Sequence, residues 1–444
     1  MQIKIKKGLN VPIEGKPETF KGEITSAGLT ALDIQSLPLQ RLKPLKKEGE
    51  SVLKGEPLLE DKDVLGRVCI SPTSGKVKEI KRGLKRSITT VVIEKESEEH
   101  YQYESFDISS KEKILTFLNS TGLLMGIQMR PFGLIARADT PPKKIFVRAI
   151  ESYPFAVPCS LQVEGYEKAF QQGLSLLSEL VDGNIHLVMD ENEEATAFTG
   201  AIDVNKHTFS GPHPSGLSSV HIHHIDPIVS VDDIAWTLGV VEVLAIGHLL
   251  EEKIHYLKRV CSIGGSVNPE KIGYYKVDAG ISIKELLNEE IDQNTRLISG
   301  NPLFGHPVSI DDYLGFFDTT LSVLRHEEKR KFLHFLRFFR KEYTATRAYA
   351  SFLSNKRPVS FTDKKHGELR AFINSEMYDK VMPMNIPTVL LIKSLIAEDY
   401  ETAVKLGLLE VVPEDFALAS FVCPSKIEMV SIVEQKLDQF YKMQ

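Results

Sequence analysis

What most limits the folds open to this chain is a change of pattern near residue 111. Before it, residues 41–94 read RLKPLKKEGESVLKGEPLLEDKDVLGRVCISPTSGKVKEIKRGLKRSITTVVIE, with Gly or Pro every few positions. Between those breaks lie short β-rich runs such as GRVCI, GKVKEI and ITTVVIE, the mark of a small all-β unit. After it, KEKILTFLNSTGLL reads as a helix and KKIFVRAI as a strand. GYEKAFQQGLSLLSELVDG follows as a helix with Phe170, Leu174, Leu177 and Val181 on one stripe, and NIHLVMD is again a strand. VDDIAWTLGV reads as a helix opened by Ser230 and Asp233. Strands alternating with helices require a parallel sheet with crossover helices. The expectation is an N-terminal β-rich domain over 1–104 and a Rossmann-like α/β domain over 105–256.

Downstream, RVCSIGGSVNPEKIGYYKVDAGISIKELLNEE reads as strand, turn, strand and short helix, followed by RLISGNPLFGHPVS and FFDTTLSVLRH. That order suits a small β-grasp module over 257–330, of the SLBB-like kind. Residues 331–444 carry little strand signal; Pro383, Pro387, Pro413 and Pro424 punctuate what reads as a helical domain. The predicted whole is an α/β multidomain protein, and 444 residues accommodate roughly three domains of about 150.

Hydrophobic residues at 42% and charged residues at 26% belong to an ordinary globular chain. A net charge of -6 argues against a nucleic-acid partner, which calls for a basic excess. The start, MQIKIKKGLN, lacks the apolar core of a secretory signal. The longest nearly apolar run, GVVEVLAIGHLL, is broken by Glu242 and His248 and falls short of the roughly 20 residues a membrane span needs. The expected location is cytoplasmic, or peripheral to a membrane. KRKFLHFLRFFRKEY (329–343) mixes cations with Phe332, Leu333, Phe335, Leu336, Phe338 and Phe339; it suits either a core helix or one lying on a bilayer.

Two features invite chemistry. FSGPHPSGLSSVHIHHIDP (209–227) holds four of the thirteen histidines, His213, His221, His223 and His224, with Asp226 beside them. In a strand, His221 and His223 share one face and His224 takes the other. Hydrolases with the H-x-H-x-D-H pattern bind metals, but here the aspartate falls one position late and Pro227 replaces the last histidine. With no third well-placed ligand, no metal is expected. A structural corner, set by Gly211, Pro212, Pro214 and Gly216, and a proton-relay or ligand contact both stay open. The four cysteines, Cys69, Cys159, Cys261 and Cys423, lie far apart without a CxxC, so no iron–sulfur spacing exists.

The EGESVLKGEPL…SPTSGKV pattern resembles the biotinyl/lipoyl carrier fold, with Gly49, Val52 and Gly55 at the first turn and Ser71, Pro72, Gly75 and Val77 at the second. A working carrier would be acylated on Lys62. The hairpin is longer than a carrier's, and the favoured reading is a scaffold sharing the fold. The basic run Lys76, Lys78, Lys81, Arg82, Lys85 and Arg86 reads as the solvated face of a hairpin, or as a contact for phosphate or acidic lipid.

Taken in order, KIKKGLNVPIEGKP, SPTSGKVKEIKRGLKR, RPF at 130–132, FSGPHPSG…HIHHIDP, RLISGNPLFG and YLGFFDTTLSVLRH carry a resemblance that spans the chain. MPMNIPTVLL and AVKLGLLEV.PEDFALASFVCP, with one gap at Val412, complete it. Together they resemble the flavin-bearing peripheral subunit of respiratory complex I and its relatives, and within that group the A subunits of Na+-translocating NADH:quinone oxidoreductases. Two departures from the flavin-bearing members stand out. GLLMGIQMRPFG (122–133) occupies the place of the Gly-rich loop that cradles a flavin phosphate, and Cys423 alone remains of the cluster-binding cysteines. The resemblance therefore implies a chain with neither flavin nor Fe–S cluster.

It further implies a bacterial translocase component on the cytoplasmic face of the inner membrane, in a six-subunit complex that passes electrons from NADH to ubiquinone and exports Na+. It places quinone handling in this chain, at Arg130, Phe132, Gly133 and Leu134 in RPFGLI, with Leu32 in GLTALDIQSLPL and His223 as further contacts. The alternatives are a purely structural component of the same complex, a lipoyl-type carrier and a metal-dependent hydrolase.

Overall fold

The computed structural model describes residues 1–39, 41–288, 291–292, 294–327, 343–345, 357–364, 368–373 and 375–444. All of 329–343 except Tyr343 falls outside those residues, so the aromatic, basic stretch there is not placed.

The central sheet has seven strands in the order Gln2–Lys4, Asn205–Ser210, Ile185–Asp190, Lys144–Ala149, Ala235–Gly239, Gln128–Arg130 and Leu134–Ile135. The first five run parallel and the last two close one edge antiparallel. Lys144–Ala149 and Ile185–Asp190 are buried almost throughout, because a parallel sheet is covered on both faces. One cover is the helices Lys111–Ser120, Glu167–Leu180 and Val240–Glu252, which enclose Ile145, Val147 and Leu187. Two of them touch backbone to backbone: a Cβ on Gly247 would lie 1.7 Å from the Ala169 carbonyl oxygen, so only glycine allows the approach. The opposite cover combines helix Ser218–Ile225 with Thr388–Ile396, Ala417–Val422 and Met429–Tyr441, sharing one core with Phe146, Val188 and Phe209. The expected C-terminal helices exist, and they supply the sheet's second layer.

Two readings are corrected here. Ala235–Gly239 is a strand, paired with Lys144–Ala149 in register Lys144 to Ala235 and Arg148 to Gly239; the helix starts only at Val240. AWTLG is an apolar run that both layers bury, and the supposed helix opener is spent elsewhere, Asp233 accepting from Lys144 Nζ at 3.1 Å. VHIHHID is not a strand: Ser218–Ile225 is a helix, its Val220 and Ile222 fully buried. The alternation covered too few residues to outweigh the covering demanded by the sheet's apolar face.

Around this unit sit two β structures. Leu29–Asp33, Ile88–Ser97, Ser74–Arg82 and Ser51–Val52 form one antiparallel sheet, and Leu42–Pro44, Pro57–Asp61 and Val68–Ile70 another. They enclose Leu32, Leu58, Leu59, Val77, Val91 and Ile93. Gly49 and Gly55, both at φ +86°, take the left-handed turns their spacing implied. Lys62 sits exposed in the loop after Pro57–Asp61. The second β structure is a sheet running His306–Val308, Thr295–Ser299, Thr320–Arg325, Lys258–Gly265, Gly273–Asp278 and Phe20–Ile24. Helix Ile283–Leu287 joins Gly273–Asp278 to Thr295–Ser299 along the chain. The first 24 residues are shared out, Gln2–Lys4 to the parallel sheet and Phe20–Ile24 to this one.

Candidate functional site: a charged cleft at the strand ends

In chain order the four inner parallel strands lie third, second, first, fourth, so the crossovers diverge between Lys144–Ala149 and Ala235–Gly239. Open α/β sheets place their ligand crevice outside the carboxyl ends of the strands at such a switch point. A cleft of about 710 Å³ opens there, lined by Arg148, Glu151, Thr237, Gly239 and Glu242. It extends past Arg130, Phe132, Gly133 and Leu134 to Glu414, Asp415 and Tyr441 on the C-terminal helical layer.

Arg130 is buried at 4% exposure, and its Nη1 donates to Ser219 Oγ at 2.7 Å while Nε finds no partner. Asp415, also buried, accepts from the Val412 amide at 2.8 Å. Burial pushes its pKa up to about 6 against the opposing pull of Arg130, that amide and the Ser219 hydroxyl. Arg148 Nη2 meets Glu151 Oε1 at 3.0 Å, leaving Arg148 Nε and Glu151 Oε2 without partners. Burial, with Glu414 and Glu242 beside it, outweighs Arg148 and raises the Glu151 pKa to about 7. Phe132, at φ +81°, sets its ring 5.9 Å from Phe440 and 5.2 Å from Tyr441, forming an aromatic wall. Gly133, at φ +67°, tolerates no Cβ, which would lie 2.7 Å from Val412 Cγ1.

Four of the six residues expected to meet a quinone thus line one cleft. Leu32 lies elsewhere, in a smaller cavity of about 50 Å³ with Leu257, Phe316 and Arg259. The two spaces adjoin, since Met125, Gly126, Val241, Glu242 and Phe317 line both. His223 lines neither: its Nδ1 donates to Glu410 Oε2 at 2.8 Å, and its Nε2 accepts from the Asn385 amide at 3.1 Å.

Two of the other three histidines of the stretch are likewise engaged. His213 Nδ1 accepts from Ser152 Oγ at 3.0 Å, and that oxygen accepts from the Gly216 amide. His221 Nε2 donates to the Ser215 carbonyl at 2.8 Å. Burial lowers the pKa of His213 to about 4 and of His221 to about 3, keeping both neutral. Asp226 pairs with Lys144 at 3.1 Å. Among the described residues no group of three or more His, Cys, Asp or Glu side chains could hold a metal ion.

The cleft does not fit a flavin phosphate. The Gly239 amide at the start of helix Val240–Glu252 already donates to Glu242 Oε2 at 3.1 Å, so a carboxylate occupies the anion position. The segment replacing a glycine cradle folds as a short 3-10 turn, Leu123–Gly126, with Leu123, Leu124 and Met125 buried. Glu151, Glu414 and Asp415 add further carboxyl groups to the lining.

Arg148, Glu151, Glu414 and Asp415 were not singled out from the sequence. The available signal was Arg148 inside the apolar strand KIFVRAI, near its carboxyl end, with Glu151 three positions on. A charge in such a strand has a reason to be there.

Residues 3–96 match the NqrA N-terminal barrel-sandwich hybrid domain, and residues 109–253 the NqrA second alpha/beta domain. The chain is 34% identical to the A subunit of the Na(+)-translocating NADH-quinone reductase of Tolumonas auensis, over 96% of each chain. It is 35% identical to the corresponding protein of Chlamydia caviae, over 100% of this chain and 97% of the relative. With that of Neisseria gonorrhoeae it shares 34% identity over 99% of both. Among the described residues no helix is long and apolar enough to cross a membrane. With both domains and the whole length matched, the chain belongs to the family of Na(+)-translocating NADH-quinone reductase A subunits.

Proposed function

We propose that this chain is a peripheral component, on the cytoplasmic face of the bacterial cell membrane, of a six-subunit complex that reduces ubiquinone with NADH and exports Na+. Its part is to bind and position the quinone; flavins and Fe–S centres belong to partner subunits. The observation that carries this reading is the cleft at the switch point, lined by the aromatic rings of Phe132 and Tyr441 together with Arg130 and Arg148. Both signs of charge line it, which suits an uncharged ligand with hydrogen-bond acceptors better than an anion.

A quinone ring against Phe132 and Tyr441 brings its carbonyl oxygens toward Arg130 and Arg148, which line the same cleft and carry N–H donors. Such donors bind more tightly as negative charge develops on those oxygens. Reduction to quinol takes up two electrons and two protons. The electrons come from the partner subunits; Glu151, with a pKa of about 7, stands in the cleft as donor of one proton, and solvent entering the cleft supplies the other.

The test is titration of the purified chain and of the assembled complex with a short-tailed ubiquinone analogue. Saturable binding that Phe132→Ala weakens by about tenfold supports the reading, since buried aromatic anchors carry much of a site's affinity. Absence of saturable binding, or a Phe132→Ala chain that binds as the parent does, overturns it.

A further inference from the structure

The strands Ser74–Arg82 and Ile88–Ser97 project a hairpin whose tip, residues 83–87, stands away from every core. Leu84 at its apex is 91% exposed. Arg82, Lys85 and Arg86 surround it, all exposed. Six Lys or Arg and one carboxylate, Glu79, lie within 76–86, in a chain whose net charge is -6.

Two of the other three cations are engaged: Lys76 pairs with Glu96 at 3.2 Å and Lys81 with Asp312 at 3.8 Å. Among the described residues no carboxylate comes within ion-pairing distance of Arg82, Lys85 or Arg86. The tip has a defined shape. Gly83 N donates to the Ser87 carbonyl at 2.8 Å, Ser87 Oγ to the Leu84 carbonyl at 2.9 Å, and Arg82 Nη1 to the Arg86 carbonyl at 3.1 Å. Lys85 and Arg86 hold left-handed backbone, φ 53° and 63°, which side chains other than glycine rarely adopt. Strained backbone of this kind is concentrated at functional loops.

We propose that this hairpin tip docks the chain on an anionic lipid surface, Leu84 entering the headgroup layer while Arg82, Lys85 and Arg86 meet phosphates. The proposal rests on the reading of the chain as peripheral to a membrane, and it adds the contact by which the chain lies there. A protein partner fits less well, because a specific protein interface buries about 800 Å² on each side and this tip offers one apolar side chain on a convex turn. An anionic bilayer needs only matching charge and a small apolar wedge. The chain's overall negative charge is repelled by such a surface, so the tip also sets the orientation.

The experiment is co-sedimentation of the full chain with vesicles of phosphatidylcholine containing phosphatidylglycerol, and with phosphatidylcholine alone, at low and high salt. Binding is expected only to the anionic vesicles and only at low salt. Lys85→Glu with Arg86→Glu is expected to reduce it by more than about tenfold, as each cation near such a surface contributes about fivefold. Leu84→Ser should weaken binding while leaving its salt dependence intact. Circular dichroism confirms that the variants fold.

Equal binding to both vesicle types, binding to neither, or full binding by the charge-reversed variant each overturns the proposal. A charge-reversed chain that leaves vesicle binding unchanged but fails to assemble with its partners overturns it in favour of a protein contact. Assembly of the parent chain, measured separately, reports on membership of the complex itself, so a failure of one does not pass for a failure of the other.

Discussion

The histidine corner at 213–224 and the cleft at the strand ends are near neighbours of opposite chemical character. The corner concentrates the residue type most associated with catalysis, yet His213, His221 and His223 each have a hydrogen-bond partner, and of those three rings only that of His221 keeps a buried atom, Nδ1, without one. The cleft is built from ordinary residues, Arg130, Arg148, Glu151 and Asp415, and holds polar atoms the fold leaves unpaired. Four such atoms stand on those cleft residues against one in the corner, and an unpaired buried group has free energy to gain from any partner it can reach. A cluster of reactive residue types whose hydrogen bonds are largely complete has little left to offer.

The largest expected effect lies in the cleft. Arg130→Ala removes a buried guanidinium that donates to Ser219 and whose charge opposes the burial of Asp415, and should cost about 3–5 kcal/mol in a urea unfolding measurement. The pair Arg130→Met with Asp415→Leu removes both charges and should recover most of that loss. If the double variant is no more stable than Arg130→Ala, the contrast between a charged cleft and a satisfied corner fails.

In the corner, His221→Ala removes a fully buried ring and leaves the Ser215 carbonyl unpaired. Thermal and urea unfolding should show a loss of about 3 kcal/mol. Added zinc should not change the melting temperature of the parent chain.

The two regions should also answer pH in opposite senses. The Asp415 carboxyl is raised to about 6 in the folded chain, so its contribution is present at acid pH and lost as pH rises from about 4 through about 6. His213 is lowered to about 4, so its contribution is present above about 6.5 and lost as pH falls from there toward about 4. Stability measured against pH for Asp415→Asn should gain on the parent with rising pH. His213→Gln should gain on it with falling pH. Curves that move together would erase the distinction.

The smallest effect is at His223→Ala. Its ring is partly buried and shares its bonds with Glu410 and the Asn385 amide, so the loss should be about 1 kcal/mol. Quinone-analogue binding should be untouched, as His223 lies off the cleft.

Much of the architecture was legible in the residues. Glycine spacing at Gly49 and Gly55 announced the sandwich turns, and the 3.6-residue stripe Phe170–Leu174–Leu177 announced a helix, because both patterns are local. Arg130, Phe132, Gly133 and Leu134 were found together because they are neighbours in the chain. AWTLG and VHIHHID were misread for the complementary reason. Five residues, four of them buried, pack equally well as strand or helix, and three alternating positions are too few to set a period, so the surrounding layers decided.

By itself, then, the sequence determined the β-to-α/β division of the chain, its turns, its long amphipathic helices and the segment that approaches the cleft. Only the tertiary structure decided that the C-terminal helices roof the central sheet and that Asp415 comes to Arg130 from 285 positions away. It also decided that His213 and His223 find hydrogen-bond partners while Glu151 and Asp415 each keep an unpaired buried oxygen. Local pattern encodes what neighbouring residues do to one backbone, whereas pairing and desolvation depend on which distant groups burial brings together, and no periodicity records that.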